Sequence, residues 1–393
     1  MQTVYLAAAK RSAIGTFGGA LKGISPSSLG TTVSKAVIAS VDLDPAALEF
    51  AIFGQVIITD SKDPYLSRVI ALDAGLPIST PAVSLNRLCG SGMQAIIQGA
   101  NLIQLGEVDM VLAGGAEVMS RAPHSTQDMR WGQKMGQLHM RDMLEETLKD
   151  PFQGMLMGVT AENIAKKYGI GRDAQDAFAL QSHQRAERAI QEGRFVSQIA
   201  PVEVVSRRQT RSFDTDEHVR LNAQIEDFQK LRAVFEKDGT VTAGNASGIN
   251  DGACAVVLAS EQALKTHGLT PMARFVCSGH GGVEPTLMGT GPIPATHQAM
   301  ARSGLSVKDF DSIESNEAFA VQALSVSQEL GFDPAKVNPN GSGISLGHPV
   351  GATGAINVTK LVYELQRSGG RYGLATMCIG GGQGVSSIWE NLA

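Results

Sequence analysis

The chain has 393 residues, 43% of them apolar and 18% charged, a composition that excludes a disordered or fibrous protein. At that length one core is outgrown, so two or three domains, or a duplicated one, are expected. A net charge of −5 argues against a large nucleic-acid footprint while leaving room for a local basic patch against an anionic small molecule.

The chain starts on a strand-like segment, residues 3–9, with no basic-then-apolar leader, and no apolar run approaches a membrane span. The four cysteines, Cys89, Cys254, Cys277 and Cys378, are too few and too scattered for a disulfide framework and form no C-x-x-C pair. A reducing compartment follows, and with no peroxisomal-type address over residues 390–393 a cytoplasmic location is expected. After a Gly-rich loop at 10–19, helical spacing starts at Ser27 or Ser28 and runs to Ser40. A strand over 50–58, a helix over 65–75 and a short buried strand over 81–85 lead to Asn86-Arg87-Leu88-Cys89-Gly90-Ser91-Gly92-Met93. Helical periodicity resumes at Gln94, with Ile96, Ala100 and Ile103 on one face, and residues 109–115 form a buried strand. This alternation implies a largely parallel sheet covered on both faces. Cys89 falls at a strand-to-helix turn, where amides and the positive helix end favour the thiolate. A small buried hydrophobe is the competing reading, and this stretch alone leaves both open.

From about residue 120 the pattern changes. Residues 124–143 are polar and Met-rich, two amphipathic helices follow over 160–168 and 173–192, and 207–237 is charged. Residues 120–248 therefore read as an insertion over the mouth of the first unit. Its Arg207, Arg208, Arg211 and Arg220 suit either phosphate contact or a solvated face. Alternation then returns, with strands over 251–259, 273–278, 373–379 and 385–390. Helices are expected over 260–266, 294–303 and 318–330, and the Gly-rich turn at 341–354 opens another that ends at Leu365. Residues 109–115 echo 374–380, and Cys89-Gly90-Ser91-Gly92 echoes the start of the second Gly-rich helix, which points to internal duplication. The resulting division is 1–119 with 249–268, 120–248, and 269–393.

Three further stretches place one reactive side chain beside small residues: Asn316 in Ser315-Asn316-Glu317-Ala318-Phe319-Ala320, His348 in Leu346-Gly347-His348-Pro349-Val350-Gly351, and Cys378 in Met377-Cys378-Ile379-Gly380-Gly381-Gly382. Each alone is compatible with a packing role. The run after Asn340 lacks both the dinucleotide and the Lys-Ser/Thr nucleotide fingerprints. Together with Cys89, in order and spacing, these stretches resemble the thiolase family. The likeness continues through Gly114-Gly115-Ala116-Glu117 and Thr242-Ala243-Gly244-Asn245 and covers essentially the whole chain. The motif around Cys89 and the loop Arg130-Trp131-Gly132 are most similar to bacterial β-ketothiolases of the acetyl-CoA acetyltransferase type.

The resemblance implies an α/β fold of two duplicated βαβαβαββ halves in five layers, α/β/α/β/α, with an inserted loop domain. It implies a reversible Claisen condensation and thiolysis of CoA thioesters through an acyl-Cys89 intermediate. In that reading His348 activates the Cys89 sulfur and Cys378 exchanges the α-proton. Asn316, through a water, acts with His348 on the enolate oxygen, and the amides of Cys89 and Gly380 hold the other oxyanion. The CoA arm is expected against Leu148, Met157, Arg220, Phe235, Ala243, Ser247, Ala318 and Phe319, with Met288 near the acyl group. No resident cofactor or metal is expected, and partners are acyl-CoA, CoA and further copies of the chain, as homodimer or homotetramer. Two positions depart from the family pattern: Leu156 replaces a usual His before Met157, and Asp227 adds a negative charge where phosphates are expected. A broader-chain 3-ketoacyl-CoA thiolase is the nearest alternative. A decarboxylating ketoacyl synthase, a hydrolase and a non-catalytic acyl-CoA or lipid carrier fit less well, because all four reactive positions are filled and the partner thiol is Cys378.

Overall fold

The computed structural model describes residues 1–206 and 209–392; Arg207 and Arg208 of the expected basic cluster lie outside the described residues. The strands are β1 Val4–Arg11, β2 Gly15–Thr16, β3 Phe50–Gly54, β4 Ala82–Leu85, β5 Met110–Val118, β6 His124–Ser125, β7 Arg141–Asp142, β8 Val202–Ser206, β9 Gln209–Phe213, β10 Asn250–Ser260, β11 Ala273–Gly282, β12 Ser312–Ser315, β13 Tyr372–Ile379 and β14 Gln383–Asn391. The helices are α1 Pro26–Ala39, α2 Leu66–Asp73, α3 Ser91–Leu105, α4 Met143–Thr147, α5 Met157–Tyr168, α6 Arg172–Gln191, α7 Ile225–Gln229, α8 Glu261–His267, α9 Pro292–Ser303, α10 Ala320–Leu330, α11 Gly343–Leu346 and α12 Val350–Ser368.

The first half orders its strands β1-β10-β5-β3-β4, and the second orders them β11-β14-β13-β12. In both, the leading pairs are antiparallel and the trailing ones parallel. Val337, bridged in parallel to Ile313, stands where β4 stands in the first half. The duplication is thus visible in topology even though residue-level similarity is faint. The expectation of a largely parallel sheet is corrected to a mixed one: β10 returns only after the long insertion and runs antiparallel to both β1 and β5. The two sheets meet where Tyr5 and Leu6 pair with Arg274 and Ala273.

Helices α1 and α2 cover one outer face, α9 packs on β11 and β14 on the other, and α3 and α12 lie against each other between the sheets. β5 and β10 are buried along their whole length, as their near-continuous apolar runs require. Each fully buried Val, Leu or Ile there contributes about 1.5–3 kcal/mol of transfer free energy. The close central contact depends on glycine. A Cβ on Gly92 would sit 2.8 Å from Ala355 N, and one on Gly354 would sit 2.5 Å from Met93 N. The charged stretch, for which no element was expected, begins within the β8–β9 hairpin. β12 was not foreseen either.

Candidate active site

Cys89 sits on a turn that local polar contacts hold. Asn86 Oδ1 accepts the Leu88 amide at 2.9 Å, and Ser91 Oγ accepts the Arg87 amide at 2.8 Å while donating to Leu88 O at 2.6 Å. These bonds fix Leu88 at φ +47°, a left-handed conformation that a branched side chain adopts only under such constraint. The chain thereby reverses within two residues and delivers Cys89 ahead of α3. Arg87 ties the turn to the second half, donating to Gln94 Oε1 at 2.6 Å and lying 2.9 Å from His280 Nδ1.

The amide N–H groups of Gly380 and of Cys89 itself bond the Cys89 sulfur. Burial nevertheless outweighs them and pushes the thiol up to about 11, with the charge of Glu117 acting in the same direction. The amides thus act in the expected direction, towards the thiolate, but burial outweighs them. Cys378 stands at the end of β13, 1% exposed, and its thiol is raised above the ordinary range by burial and then by Cys89.

His348 precedes α12. Its amide donates to Asn250 Oδ1 at 2.9 Å, and its Nδ1 lies 2.6 Å from Thr353 Oγ1. Burial holds the imidazole down to about 4, so it is neutral around pH 7. Its Nε2 is buried without a protein partner. Glu117 on β5 accepts the amides of Val56, Ile57 and Gly351, which pins the start of α12 to the loop after β3. Burial pushes Glu117 up to about 8 against the pull of those three donors. Asn316 follows β12, fully buried, with both side-chain polar atoms unpartnered by protein.

An inner chamber of about 70 Å³ has Cys89, His348, Cys378 and Gly380 in its wall together with Met288 and Ala318. An outer slot of about 330 Å³ is lined by Phe235, Ala243 and Leu156, and Leu148, Met157, Ser247 and Phe319 face both spaces. Two expected positions, Arg220 and Asp227, lie away from both spaces. Arg220 is in neither wall; it is exposed on the insertion, its guanidinium 5.8 Å from the centre of the Phe228 ring. Asp227 accepts the Gln224 amide at the start of α7 and pairs with Lys230 at 2.8 Å, so its charge is already engaged. Asn316 is buried and is not in the lining of either space. Sequence reasoning did not single out Leu88, Val56 and Thr147 in the inner wall, nor the supports Asn250 and Thr353. The signal for Glu117 was available: a carboxylate inside an otherwise apolar strand.

Residues 4–262 match the family model of the thiolase N-terminal domain and residues 269–391 that of the thiolase C-terminal domain. The chain is 54% identical over 383 residues to the beta-ketothiolase BktB of Cupriavidus necator, covering 97% of each. It is 48% identical over 393 residues to an acetyl-CoA acetyltransferase of Thiocystis violacea, covering 99% of each. It also superimposes on the crystal structure of human mitochondrial 3-ketoacyl-CoA thiolase in complex with CoA. The TM-score is 0.96 at 44% identity, over 100% of this chain and 98% of that one.

Proposed function

The chain belongs to the thiolase family, and from that premise we propose how its residues divide the chemistry. It is an acyltransferase of reversible Claisen condensation and thiolysis: two acetyl-CoA give acetoacetyl-CoA and CoA, or a 3-ketoacyl-CoA and CoA give an acyl-CoA and acetyl-CoA. In thiolysis, the Cys89 proton passes to neutral His348 and the sulfur attacks the 3-keto carbon. The amides of Cys89 and Gly380 hold the resulting oxyanion. The C2–C3 bond then breaks, its electron pair becoming the enolate of acetyl-CoA. His348 and Asn316, through a water, steady that enolate oxygen while Cys378 protonates the carbon. CoA passes its thiol proton to the Cys378 thiolate and attacks the acyl-Cys89 carbonyl; the C–S bond to Cys89 breaks, the Cys89 sulfur takes its proton back from His348, and the acyl group leaves on CoA. Condensation is the reverse.

What carries this reading is one observation: two thiols, a neutral imidazole and the Gly380 amide converge on a single small chamber at the inner end of an apolar slot. The slot suits a pantetheine arm, and the small chamber suits a short acyl group. Leu156 lies on the slot and not beside Cys89, so it bears on the arm and not on acyl length. Thiol, imidazole and amides suffice for every step, and no resident cofactor is part of the proposal. The first half supplies Cys89, the second supplies Asn316, His348, Cys378 and Gly380, and the insertion covers the arm. This supports dividing the chain at 1–119 with 249–268, 120–248 and 269–393.

We also take the chain to self-associate as a homodimer or homotetramer. β4 is an edge strand with Val83 exposed, and Trp131 and Met135 are each 89% exposed on the insertion. Light scattering giving a monomer mass overturns this. Among the described residues no helix is long and apolar enough to cross a membrane, and four free cysteines support a reducing, cytoplasmic setting. The functional test is thiolysis of 3-ketoacyl-CoA substrates of increasing length by native protein and Cys89→Ala. Activity falling off beyond acetoacetyl-CoA and its next homologue is expected. Extension to long chains would favour the broader-chain reading, and CoA binding without any turnover would overturn catalysis.

A further inference from the structure

Resting on the reading of His348 as the base for Cys89, we propose that Thr353 is a positioning residue: its hydroxyl accepts the Nδ1 proton of His348 and leaves Nε2 as the bare proton acceptor in the inner chamber.

Thr353 lies in the first turn of α12 and is 2% exposed. Its Oγ1 is 2.9 Å from Pro349 O, to which it donates, and 2.6 Å from His348 Nδ1. A hydroxyl has one proton. With that proton on the carbonyl, which can only accept, Oγ1 faces the ring as an acceptor, and the ring nitrogen opposite carries the hydrogen. A neutral imidazole holds one N–H, so the proton on Nδ1 strips it from Nε2. That nitrogen is the buried one without a protein partner, in the wall shared with Cys89 and Cys378. When the Cys89 proton arrives, the same Oγ1 stabilises the imidazolium through its Nδ1–H. The ring's backbone cannot drift to another arrangement easily. Asn250 holds the His348 amide, and Glu117 holds the Gly351 amide at 3.0 Å. Glu117 meets this turn at the Gly351 amide, and Cys89 and Cys378 share the cavity wall with His348.

The test compares native protein with Thr353→Val, which keeps the shape and removes the oxygen, and with Thr353→Ser, which restores it. Iodoacetamide alkylation of Cys89 across pH reads the base without any CoA substrate. In native protein its rate is flat between the protonation of His348 and the alkaline range where free thiolate forms. In Thr353→Val the flat region drops by about 10²-fold while the alkaline limb is unchanged, kcat for thiolysis falls in parallel, and KM stays within about threefold. Thr353→Ser returns both rates to within about threefold of native. A packing defect would instead slow alkylation at every pH and leave Ser no better than Val, and that result overturns the proposal, as does a native-like Thr353→Val. Should Thr353→Val fail to fold, the ¹⁵N spectrum of histidine-labelled native protein decides: the hydrogen on Nε2 in place of Nδ1 overturns it. The underlying reading fails separately, if native protein cleaves no 3-ketoacyl-CoA or if His348→Asn leaves the flat region untouched.

Discussion

Cys89 rests as a thiol because removing its sulfur from water costs more than two amides return. That balance was not legible in the sequence, where the turn could be read but not the depth at which Cys378 and Leu88 would bury it. The identity of the reactive set was legible, because four short motifs each put one polar side chain beside residues without bulk. The setting of Arg220 was not legible in the same way: a long side chain on an insertion follows its own packing, here over the Phe228 ring. The two thiols are chemically alike but have different tasks, which a single substitution separates. Cys378→Ser keeps the shape and raises the acidity barrier at the carbon-protonating group. We expect kcat for thiolysis to fall by about 10²–10⁴-fold, while acyl transfer from acetyl-CoA to Cys89, followed by mass spectrometry of the intact protein, still goes to completion. Loss of the acyl-enzyme as well would mean that Cys378 is needed to form the nucleophile.

At the scale of elements, periodicity located most helices and the long strands because their buried faces are apolar. It failed at β12, whose Ser312-Ile313-Glu314-Ser315 reads as a polar loop yet is a buried strand. The reason is a partner 46 residues away. Lys360 on α12, fully buried, donates to Glu314 Oε2 at 2.7 Å and to Gly341 O at 2.6 Å. Burial still pushes Glu314 up to about 7, and Lys360 offsets only part of it. No local pattern announces a charge neutralised from another element. This pair seats the strand that Asn316 follows against the helix that starts after His348. Lys360→Met therefore leaves Glu314 and the Gly341 carbonyl without their donor. A stability loss of about 3–5 kcal/mol is expected from urea unfolding. The double change Lys360→Met with Glu314→Leu should recover much of it, and a single variant as stable as native would show that the pair contributes nothing.

Across the whole molecule, the duplicated halves place the chamber on their seam, so catalytic groups and their supports are buried together. The buried titratable groups of the seam and of the insertion together set how stability depends on pH. His183, His218 and His348 stay neutral down to about 3, 4 and 4, chiefly through burial. The carboxyls of Glu117, Glu314 and Asp251 keep their protons up to about 8, 7 and 6 for the same reason. Below pH 6.5 the unfolded chain binds protons that the folded histidines refuse, so stability falls as pH falls. Above pH 4.5 the unfolded chain sheds protons that the folded carboxyls keep, so stability falls as pH rises. Between these values the two effects oppose each other. Below about pH 4.5 the histidines, each removing up to about 1.4 kcal/mol per pH unit until its own folded value is reached, are joined by carboxyls that their partners hold below the ordinary range, Glu364 and Glu390 among them, so stability falls further as pH falls. From pH 6.5 to about 8, Glu117 and Glu314 dominate, and stability declines on the alkaline side as well. Urea midpoints measured at constant ionic strength should therefore show a broad maximum near pH 5–6.5 and fall on both sides. A midpoint that climbs steadily from pH 6.5 to 8 would mean that the three amides around Glu117 and the Lys360 partner of Glu314 hold both carboxylates ionised in the fold.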